Sequence, residues 1–320
     1  MRKISIVGTG MSAAGKKITN EDLSKMVDTS DEWITTRTGI RERRFCDEGE
    51  STYTLAEAAA REAITEAGVN IEDIDAVVCA TVSAEYITPS LACVVQIKLG
   101  LKENIPVLDI NAACSGFIYG LEVVRGLLDG SNGRYGLVIG CEQLSRLMDM
   151  TDRSTCVLFG DGAGAAVVKL DQEKNYASVL GARGGFEIQV EGAGPVISKI
   201  KMDGKEVFKF ATAAIPKCID ALQEKTGIGI EDVSQVICHQ ANARILDHCV
   251  KKLKADPDKF YKNMDRYGNT SAASVPMALH ELVKQEKIHK GDKLMLVGFG
   301  GGLTWAGVII EYDGKCSVGT

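Results

Sequence analysis

The chain has 320 residues, of which 45% are hydrophobic and 25% are charged, and its formal net charge is −6 at pH 7. This composition is typical of a globular protein and excludes collagen-like, coiled-coil and disordered chains. The acidic balance gives no global electrostatic reason to bind nucleic acid or an anionic membrane, so we expect neither as a partner.

Short apolar runs alternate with longer amphipathic runs along most of the chain. In chain order they predict a strand over 4–8, a helix over 54–67, strands over 76–82 and 106–110, a helix that begins just after Cys114, strands over 136–140 and 165–170, a helix over 211–225, a strand over 236–238, helices over 241–253 and 276–284, and strands over 294–297 and 307–312. Such alternation is typical of an α/β protein with covered, mostly parallel sheets. Chemistry in α/β units collects where strands end and helices begin.

Cysteine and histidine usage argues against disulfides and metals. Ten cysteines in a chain of this length are too sparse for a disulfide scaffold, and they form no CxxC pair. Only four histidines are present, without the spacing of zinc ligands, so we expect no metal.

The apolar run at 4–7 is too short for a signal peptide. The uncharged stretch 294–310 is interrupted by glycines, which predicts a hairpin and not a membrane helix. We expect a cytoplasmic protein.

Two motifs occur twice, in the same order. Ile71 begins Ile-Glu-Asp-Ile-Asp-Ala-Val-Val-Cys-Ala-Thr, and 159 residues later Ile230 begins Ile-Glu-Asp-Val-Ser-Gln-Val-Ile-Cys-His-Gln. Phe159 and Phe299 begin a second pair, Phe-Gly-Asp-Gly and Phe-Gly-Gly-Gly. We infer a duplication and predict two βα halves, 1–172 and 173–320.

Two candidate reactive side chains lie at predicted strand ends. Cys114 lies between a strand and the N-terminus of the next helix, where unpaired N–H groups and the helix dipole favour a thiolate. His239 ends the second copy of the repeated strand, where the first copy has Ala80, so nothing structural demands an imidazole there. Either residue alone also fits a buried structural role.

Two glycine-containing loops complete the pattern. Asn269 lies 155 residues after Cys114, close to the repeat offset, so the two loops are predicted to be equivalent turns that meet between the halves. The Asn269 loop also fits ordinary turn and cap chemistry. The glycines around Gly301 suit a close backbone donor to a ligand oxygen, although a tight hairpin explains them equally well.

Together these segments resemble the 3-oxoacyl-[acyl-carrier-protein] synthase III family. The motifs are Asn-Ala-Ala-Cys-Ser-Gly-Phe around Cys114, Cys-His-Gln-Ala-Asn around His239, Tyr-Gly-Asn-Thr-Ser-Ala-Ala-Ser around Asn269, and Gly-Phe-Gly-Gly-Gly-Leu-Thr-Trp around Gly301. Further matches extend over nearly the whole chain. The resemblance implies a thiolase-like fold, two duplicated βα halves in a layered αβαβα core. It also implies decarboxylative condensation of an acyl-CoA primer with malonyl-acyl carrier protein, which initiates fatty acid or related acyl-chain synthesis without a cofactor.

The resemblance also implies roles for individual residues. Cys114 would be the nucleophile, the N–H groups of Cys114 and Gly301 the oxyanion hole, and His239 and Asn269 the donors to the malonyl enolate. Similar enzymes bind the adenine of coenzyme A at positions matched here by Trp33, Arg37 and Arg153, and they dock the carrier at a position matched by Arg244. Lys251 and Lys252 share a helical face with Arg244 and would extend it into a basic patch for an acidic carrier, although an exposed charged face is usually just solvated.

The sequence departs from the family pattern in two places. Thr88 stands where related enzymes carry a large apolar residue, at an acyl pocket completed across a homodimer. The stretch 184–199 looks shortened. Both departures leave the chain length and branching of the primer open, and with them fatty acid or specialised metabolism.

Three other functions remain open from the residues. A thiolase or plain acyltransferase shares the fold, but the loop 298–302 lacks the second cysteine that a thiolase uses as base. An inert partner subunit would be expected to have lost Cys114. A redox-sensing thiol protein would need a resolving partner for Cys114, and the sequence shows none.

Overall fold

The computed structural model describes residues 2–192 and 198–314. Its strands are β1 (Lys3–Ala13), β2 (Lys16–Thr19), β3 (Glu42–Phe45), β4 (Ile74–Ala80), β5 (Val107–Ile110), β6 (Tyr135–Glu142), β7 (Gly162–Asp171), β8 (Tyr176–Ala182), β9 (Ile188–Gln189), β10 (Lys201–Met202), β11 (Gln235–Cys238), β12 (Lys293–Gly300) and β13 (Thr304–Tyr312). Its α-helices are α1 (Asn20–Ser24), α2 (Asp31–Thr38), α3 (Thr52–Ala67), α4 (Leu91–Leu99), α5 (Gly116–Ser131), α6 (Gly204–Thr226), α7 (Ala243–Leu253), α8 (Met264–Tyr267) and α9 (Ser274–Lys284).

The main strands follow the same order in both halves of the chain. In the first half the order is β1-β7-β6-β4-β5, and in the second it is β8-β13-β12-β11, with Phe260 bridged to β11 in the place that corresponds to β5. Parallel and antiparallel pairings also correspond one to one. This correspondence supports the inferred duplication, and we propose the boundary between the halves, 1–172 and 173–320, between β7 and β8.

The two sets of strands join at one point, where Ser5 and Ile6 of β1 pair in parallel with Glu311 and Tyr312 of β13. The resulting sheet is mixed, so the expectation of mostly parallel strands is wrong. One reason is local: a tight turn joins β12 directly to β13, and a short hairpin turn can connect only antiparallel strands. In the first half, β7 is antiparallel to both of its neighbours, β1 and β6.

Helices form three layers around the two sets of strands. α3 and α4 cover the outer face of the first set, α6 covers the outer face of the second and carries α7, and α5 and α9 contact strands of both sets. The expected αβαβα layering is therefore confirmed.

Strand residues alternate between these layers, as the period of two in a strand requires. Val77 packs in the outer core under α3 and α4, whereas Val78 packs in the central core with α5 and α9. In the second half, Leu296 lies in the central core and Val297 lies under α6 and α7. Full burial of one such side chain stabilises the fold by about 1.5–3 kcal/mol.

The predicted strands and helices are all present, with shifted ends. β1 is longer than predicted, and α6 begins earlier and continues through Pro216. The predicted hairpin is β12 and β13. Among the described residues, no helix is long and apolar enough to cross a membrane.

Candidate active site

The ends of the strands from both halves surround one large cavity, of about 1160 Å³. Cys114, His239, Asn269 and Gly301 all line it. The structure therefore brings together the four positions that the sequence analysis selected separately.

Cys114 lies in a single 3₁₀ turn, Ala113–Ser115, between β5 and the first residue of α5. Ala113 has a φ of 45°, in the left-handed region. Ser115 and Thr304 stabilise the turn, because both hydroxyls donate to the carbonyl of Ala112, at 2.8 and 3.0 Å. This sharp turn directs the thiol into the cavity at the start of the helix, as predicted.

The environment of the thiol differs from the expectation. Its sulfur contacts the backbone N–H groups of Cys114 and Gly301, the two donors assigned to the oxyanion hole, and the side chain of Ser271. Burial nevertheless outweighs these donors and raises the pKa of Cys114 to about 11. The donors at the helix N-terminus lower the pKa of the thiol, as expected, but they offset only part of the effect of burial. That this placement activates Cys114 as a thiolate stays a prediction.

His239 follows β11 directly and is 1% exposed. Burial lowers the pKa of its imidazole to about 3, so the ring is neutral at physiological pH. Its Nδ1 lies 2.7 Å from the hydroxyl of Ser274, which also accepts from the backbone N–H of Gln240. When Ser274 donates to Nδ1, the ring proton resides on Nε2, which makes Nε2 a neutral donor.

Asn269 is 7% exposed, and its side-chain amide has a fixed orientation. Its Oδ1 accepts the backbone N–H of Ser271 at 2.9 Å. Its backbone N–H donates to the carbonyl of Leu158 at 2.8 Å, and its carbonyl accepts from Gly160 at 3.0 Å. With Oδ1 occupied in this way, Nδ2 is the group that remains to donate a hydrogen bond to a ligand.

Trp33 and Arg37, on α2, also line the cavity. The guanidinium of Arg37 lies 4.8 Å from the centre of the Trp33 ring, and that of Arg153 lies 4.9 Å from it. Arg153 is not itself a lining residue, but it joins the other two through this stacking. An indole stacked with guanidinium groups is a surface on which a purine can stack.

The basic residues predicted to dock a carrier are exposed on α7. Arg244 lies 6.0 Å from the ring of Phe208, which lines the cavity, so this end of the helix is close to the cavity. Lys251 and Lys252 are in the last turn of the helix, farther from it.

Thr88 is exposed and does not line the cavity of its own chain. Its neighbours Tyr86 and Ile87 do. A role of Thr88 in an acyl pocket would therefore be exerted across a subunit boundary, and it stays a prediction. The stretch 184–199 falls partly outside the described residues, which omit 193–197.

Three further polar residues support the site and were missed by the sequence analysis: Ser271, Ser274 and Glu142. The two serines lie within the Tyr-Gly-Asn-Thr-Ser-Ala-Ala-Ser motif, where only Asn269 was considered. Glu142 is a single acidic residue at the end of an apolar strand, and that contrast was the available signal.

Over 2–192 and 198–314, no group of three or more His, Cys, Asp or Glu side chains could hold a metal ion. The nine cysteines described are all free thiols, and Cys316 lies outside the described residues.

Two similar βα halves in five layers, with a thiol, an imidazole and a carboxamide at their junction, define a condensing enzyme of the thiolase fold. The 3-oxoacyl-[acyl-carrier-protein] synthase III model matches residues 108–184, and the model of the C-terminal part of that family matches 223–312. The chain belongs to the 3-oxoacyl-[acyl-carrier-protein] synthase III family, as its motifs predicted.

Proteins similar to this chain match it over nearly its full length. Beta-ketoacyl-[acyl-carrier-protein] synthase III of Clostridium botulinum strain Okra is 45% identical, over 98% of this chain and 100% of that protein. The crystal structure of 3-oxoacyl-[acyl-carrier-protein] synthase III from Aquifex aeolicus is 44% identical, with a TM-score of 0.91 over 97% of this chain and 100% of that one. The priming beta-ketosynthase of the R1128 polyketide pathway is 32% identical, with a TM-score of 0.91 over 98% and 97%. The chain is thus an acyltransferase-type condensing enzyme.

Proposed function

We propose that this enzyme condenses an acyl-CoA primer with malonyl-acyl carrier protein and releases carbon dioxide and a 3-oxoacyl thioester. The observation that carries the proposal is the convergence of Cys114, His239 and Asn269 on one cavity beside the N–H groups of Cys114 and Gly301. This set contains a nucleophile, two neutral donors and a pair of backbone donors, which are the groups that the two half-reactions require.

In the first half-reaction, the sulfur of Cys114 attacks the thioester carbon of the acyl-CoA. The negative charge on the carbonyl oxygen is stabilised by the N–H groups of Cys114 and Gly301, which already contact the sulfur. The tetrahedral intermediate then collapses, the bond to coenzyme A breaks, and the acyl group remains on Cys114.

In the second half-reaction, the malonyl group loses carbon dioxide and its thioester oxygen acquires negative charge. His239 and Asn269 stabilise this oxygen as neutral donors, through Nε2 and Nδ2 respectively. The carbanion then attacks the carbonyl carbon of the acyl group and forms the new carbon–carbon bond, while the bond from that carbon to the sulfur of Cys114 breaks. The 3-oxoacyl thioester leaves on the carrier, and the thiolate of Cys114 takes up a proton from solvent to restore the thiol. Both half-reactions use protein groups and substrate thioesters, so the proposal requires no metal or redox cofactor.

The proposed coenzyme A site extends from Trp33 to Cys114 along the cavity. Adenine would stack on Trp33, with Arg37 and Arg153 beside it, and the guanidinium groups would also interact with phosphate. Arg244, near the cavity through Phe208, would attract the acidic carrier, with Lys251 and Lys252 extending the positive surface.

We also propose that the enzyme is a homodimer. Tyr86, Ile87 and Ile97 are large apolar side chains that are 53%, 99% and 76% exposed. An exposed apolar surface of this kind is typical of a protein interface. Because Tyr86 and Ile87 also line the cavity, a partner covering this surface would complete the cavity wall. Sedimentation that shows a fully active monomer would exclude the dimer.

The test of the proposed function is intact mass measurement after incubation with a panel of acyl-CoAs, followed by peptide mapping. We expect one acyl group per chain, on Cys114 alone, and none on a Cys114→Ala variant. The preferred acyl chain identifies the primer. An acyl group mapped to another cysteine, or no acylation by any primer in the panel, would contradict the proposal.

A further inference from the structure

Glu142, the last residue of β6, is a carboxyl group buried directly behind the active-site loop. Its Oε2 accepts hydrogen bonds from the backbone N–H of Val82 at 3.1 Å and from the hydroxyls of Thr81 and Ser83. Its Oε1 accepts the hydroxyl of Ser271 at 3.1 Å. Burial raises the pKa of this carboxyl to about 7, so near neutral pH it is close to half ionised.

Ser271 connects this carboxyl group to both parts of the active site. Its side chain contacts the thiol of Cys114, and its backbone N–H holds Oδ1 of Asn269. The turn that carries it packs against β6, because Gly140 leaves no side chain there: a Cβ at Gly140 would lie 2.2 Å from the carbonyl oxygen of Ala272. The Ser271 hydroxyl therefore lies between the thiol, which it neighbours, and Oε1 of Glu142, to which it donates a hydrogen bond.

We propose that Glu142 is a positioning residue that receives the proton of Cys114 through Ser271 during acylation. The thiol gives its proton to the oxygen of Ser271 as the Ser271 hydroxyl gives its own proton to the carboxylate. The sulfur then forms its bond to the acyl carbon. When the bond to coenzyme A breaks, the departing thiolate takes the proton back by the same path, since it leaves from the carbon that Cys114 has just attacked. The carboxylate is restored and no proton is gained or lost.

The alternative acceptor within the site is the imidazole of His239. Its pKa of about 3 lies about eight below that of Cys114, which is about 11, whereas the pKa of Glu142 lies about four below it. Glu142 is therefore the stronger base of the two, and proton transfer to it is less unfavourable than transfer to His239. This comparison and the hydrogen-bond path both favour Glu142 for the acylation step.

The other titratable and charged groups around Glu142 are Cys114 and His239 in the cavity, Cys46, Cys79 and Cys141 behind it, and Glu85 and Arg146 beside the 81–84 segment. Burial raises the pKa of the four cysteines and lowers that of His239, so none of these five groups titrates near neutral pH. Glu85 accepts the N–H of Thr52, and Arg146 donates to the carbonyls of Ser83 and Ala84.

Two simpler roles for Glu142 make different predictions. A purely structural carboxyl group would hold the 81–83 segment against Ser271, and its loss would lower the acylation rate by the same factor at every pH. A purely electrostatic one would raise the pKa of Cys114 by repulsion, and its removal would make acylation faster at neutral pH.

The experiment is the acylation rate of the full-length enzyme, followed by quenched-flow mass measurement with its preferred acyl-CoA from pH 5.5 to 9. For the wild type we expect the rate to rise with pH through a midpoint near 7. Glu142→Gln should acylate at least tenfold more slowly at pH 8, and its profile should lack that midpoint. A rate equal to or above that of the wild type, or a uniform loss that keeps the midpoint, would overturn the proposal.

Asp161→Asn is the matched control. Asp161 is also a buried carboxyl group with a raised pKa, but it accepts from Ser145 and from the N–H of Cys46 and has no contact with Ser271. Its substitution should keep the midpoint near 7, whatever its effect on the size of the rate. Loss of the midpoint in this variant as well would count against a specific role for Glu142.

A second variant, Ser271→Ala, tests the path without changing Glu142 and remains decisive if Glu142→Gln does not fold. The backbone N–H that orients Asn269 is kept, so release of carbon dioxide from malonyl-acyl carrier protein should fall by a smaller factor than acylation. Acylation should fall at least tenfold. Normal acylation in this variant would refute the relay. The inference rests on the proposed function, and the two fail differently: a wild type that no acyl-CoA acylates contradicts the function itself.

Discussion

Asn269→Asp is the substitution that most directly separates the two half-reactions. The new side chain has nearly the same shape, and one oxygen keeps the hydrogen bond to the N–H of Ser271 that Oδ1 accepts at 2.9 Å. The second oxygen replaces Nδ2. A neutral donor is therefore exchanged for a negatively charged acceptor while the loop is retained.

The expected loss has two parts. Removing one donor to a developing oxyanion costs about 10² to 10³ in rate. A carboxylate about 4 Å from the enolate oxygen adds a repulsion of about 4 kcal/mol at an effective dielectric constant near 20, which is about another factor of 10³. We expect Asn269→Ala to lose only the first part and Asn269→Asp to lose about 10⁵ in decarboxylation. Acylation of Cys114, which uses other donors, should change less than tenfold in both.

Release of labelled carbon dioxide from malonyl-acyl carrier protein measures the decarboxylation, and intact mass with an acyl-CoA measures the acylation. Asn111→Asp is a matched control, because Asn111 also lines the cavity and its Oδ1 also accepts the N–H two residues later, that of Ala113 at 3.2 Å. This variant should decarboxylate within tenfold of the wild type. If Asn269→Asp decarboxylated at nearly the wild-type rate but failed to acylate, the roles assigned to the two sets of donors would be wrong.

Three further predictions follow from the geometry. Trp33→Ala removes the stacking surface, worth about 1–3 kcal/mol for a base on an aromatic ring. It should raise KM for acyl-CoA about tenfold with little change in kcat, and an unchanged KM would remove Trp33 from the coenzyme A site. Because the folded-state pKa of His239 is lowered to about 3 from 6.5, its neutral form stabilises the fold above the unfolded-state pKa, and this stability is lost as the pH falls towards 3. Between pH 7 and 5 the free energy of unfolding, measured by denaturant titration at each pH, should fall by about 2 kcal/mol more in the wild type than in His239→Gln. The same fall in both proteins would contradict the burial of a neutral imidazole. Gly300→Ala would place a Cβ 2.7 Å from the backbone N of Cys114, so acylation measured by mass should fall at least 10²-fold, and a variant that acylates normally would show that this approach is not needed.

Local patterns in the sequence were sufficient to predict the layers and most main strands. Each main strand is a short apolar run, and the repeated motif starting at Ile71 and Ile230 leads into equivalent strands, β4 and β11. The antiparallel pair β2–β3 was missed because its strands are short and mostly charged. One of these charged residues, Arg43, is completely buried and donates to the carbonyls of Ile18 and Val157, so its burial depends on contacts that no local pattern reveals.

The same limit applies to the active site. Cys114, His239 and Asn269 were found because each lies at a strand end or in a glycine loop, which are visible locally. The raised pKa of Cys114 was not foreseen, since its burial comes partly from the glycine loop of the other half, where Gly301 contacts the sulfur. Glu142 was missed because its partners are distant in sequence, with Ser271 lying 129 residues away.

The neutral resting state of the thiol and the imidazole fits a chemistry in which these groups and the substrate acquire charge only during the reaction. A thiol with a pKa of about 11 and an imidazole with a pKa of about 3 carry no charge at neutral pH, so the buried cavity bears little desolvation cost from either group before the substrate binds. Negative charge then develops in turn at the sulfur, at the acyl oxygen and at the malonyl oxygen. Donors with fixed orientation stabilise each of these positions without reorganising. Such a site still needs an acceptor for the thiol proton, and a carboxyl group with a pKa of about 7, screened from the substrate by Ser271, supplies one without placing an anion beside the enolate.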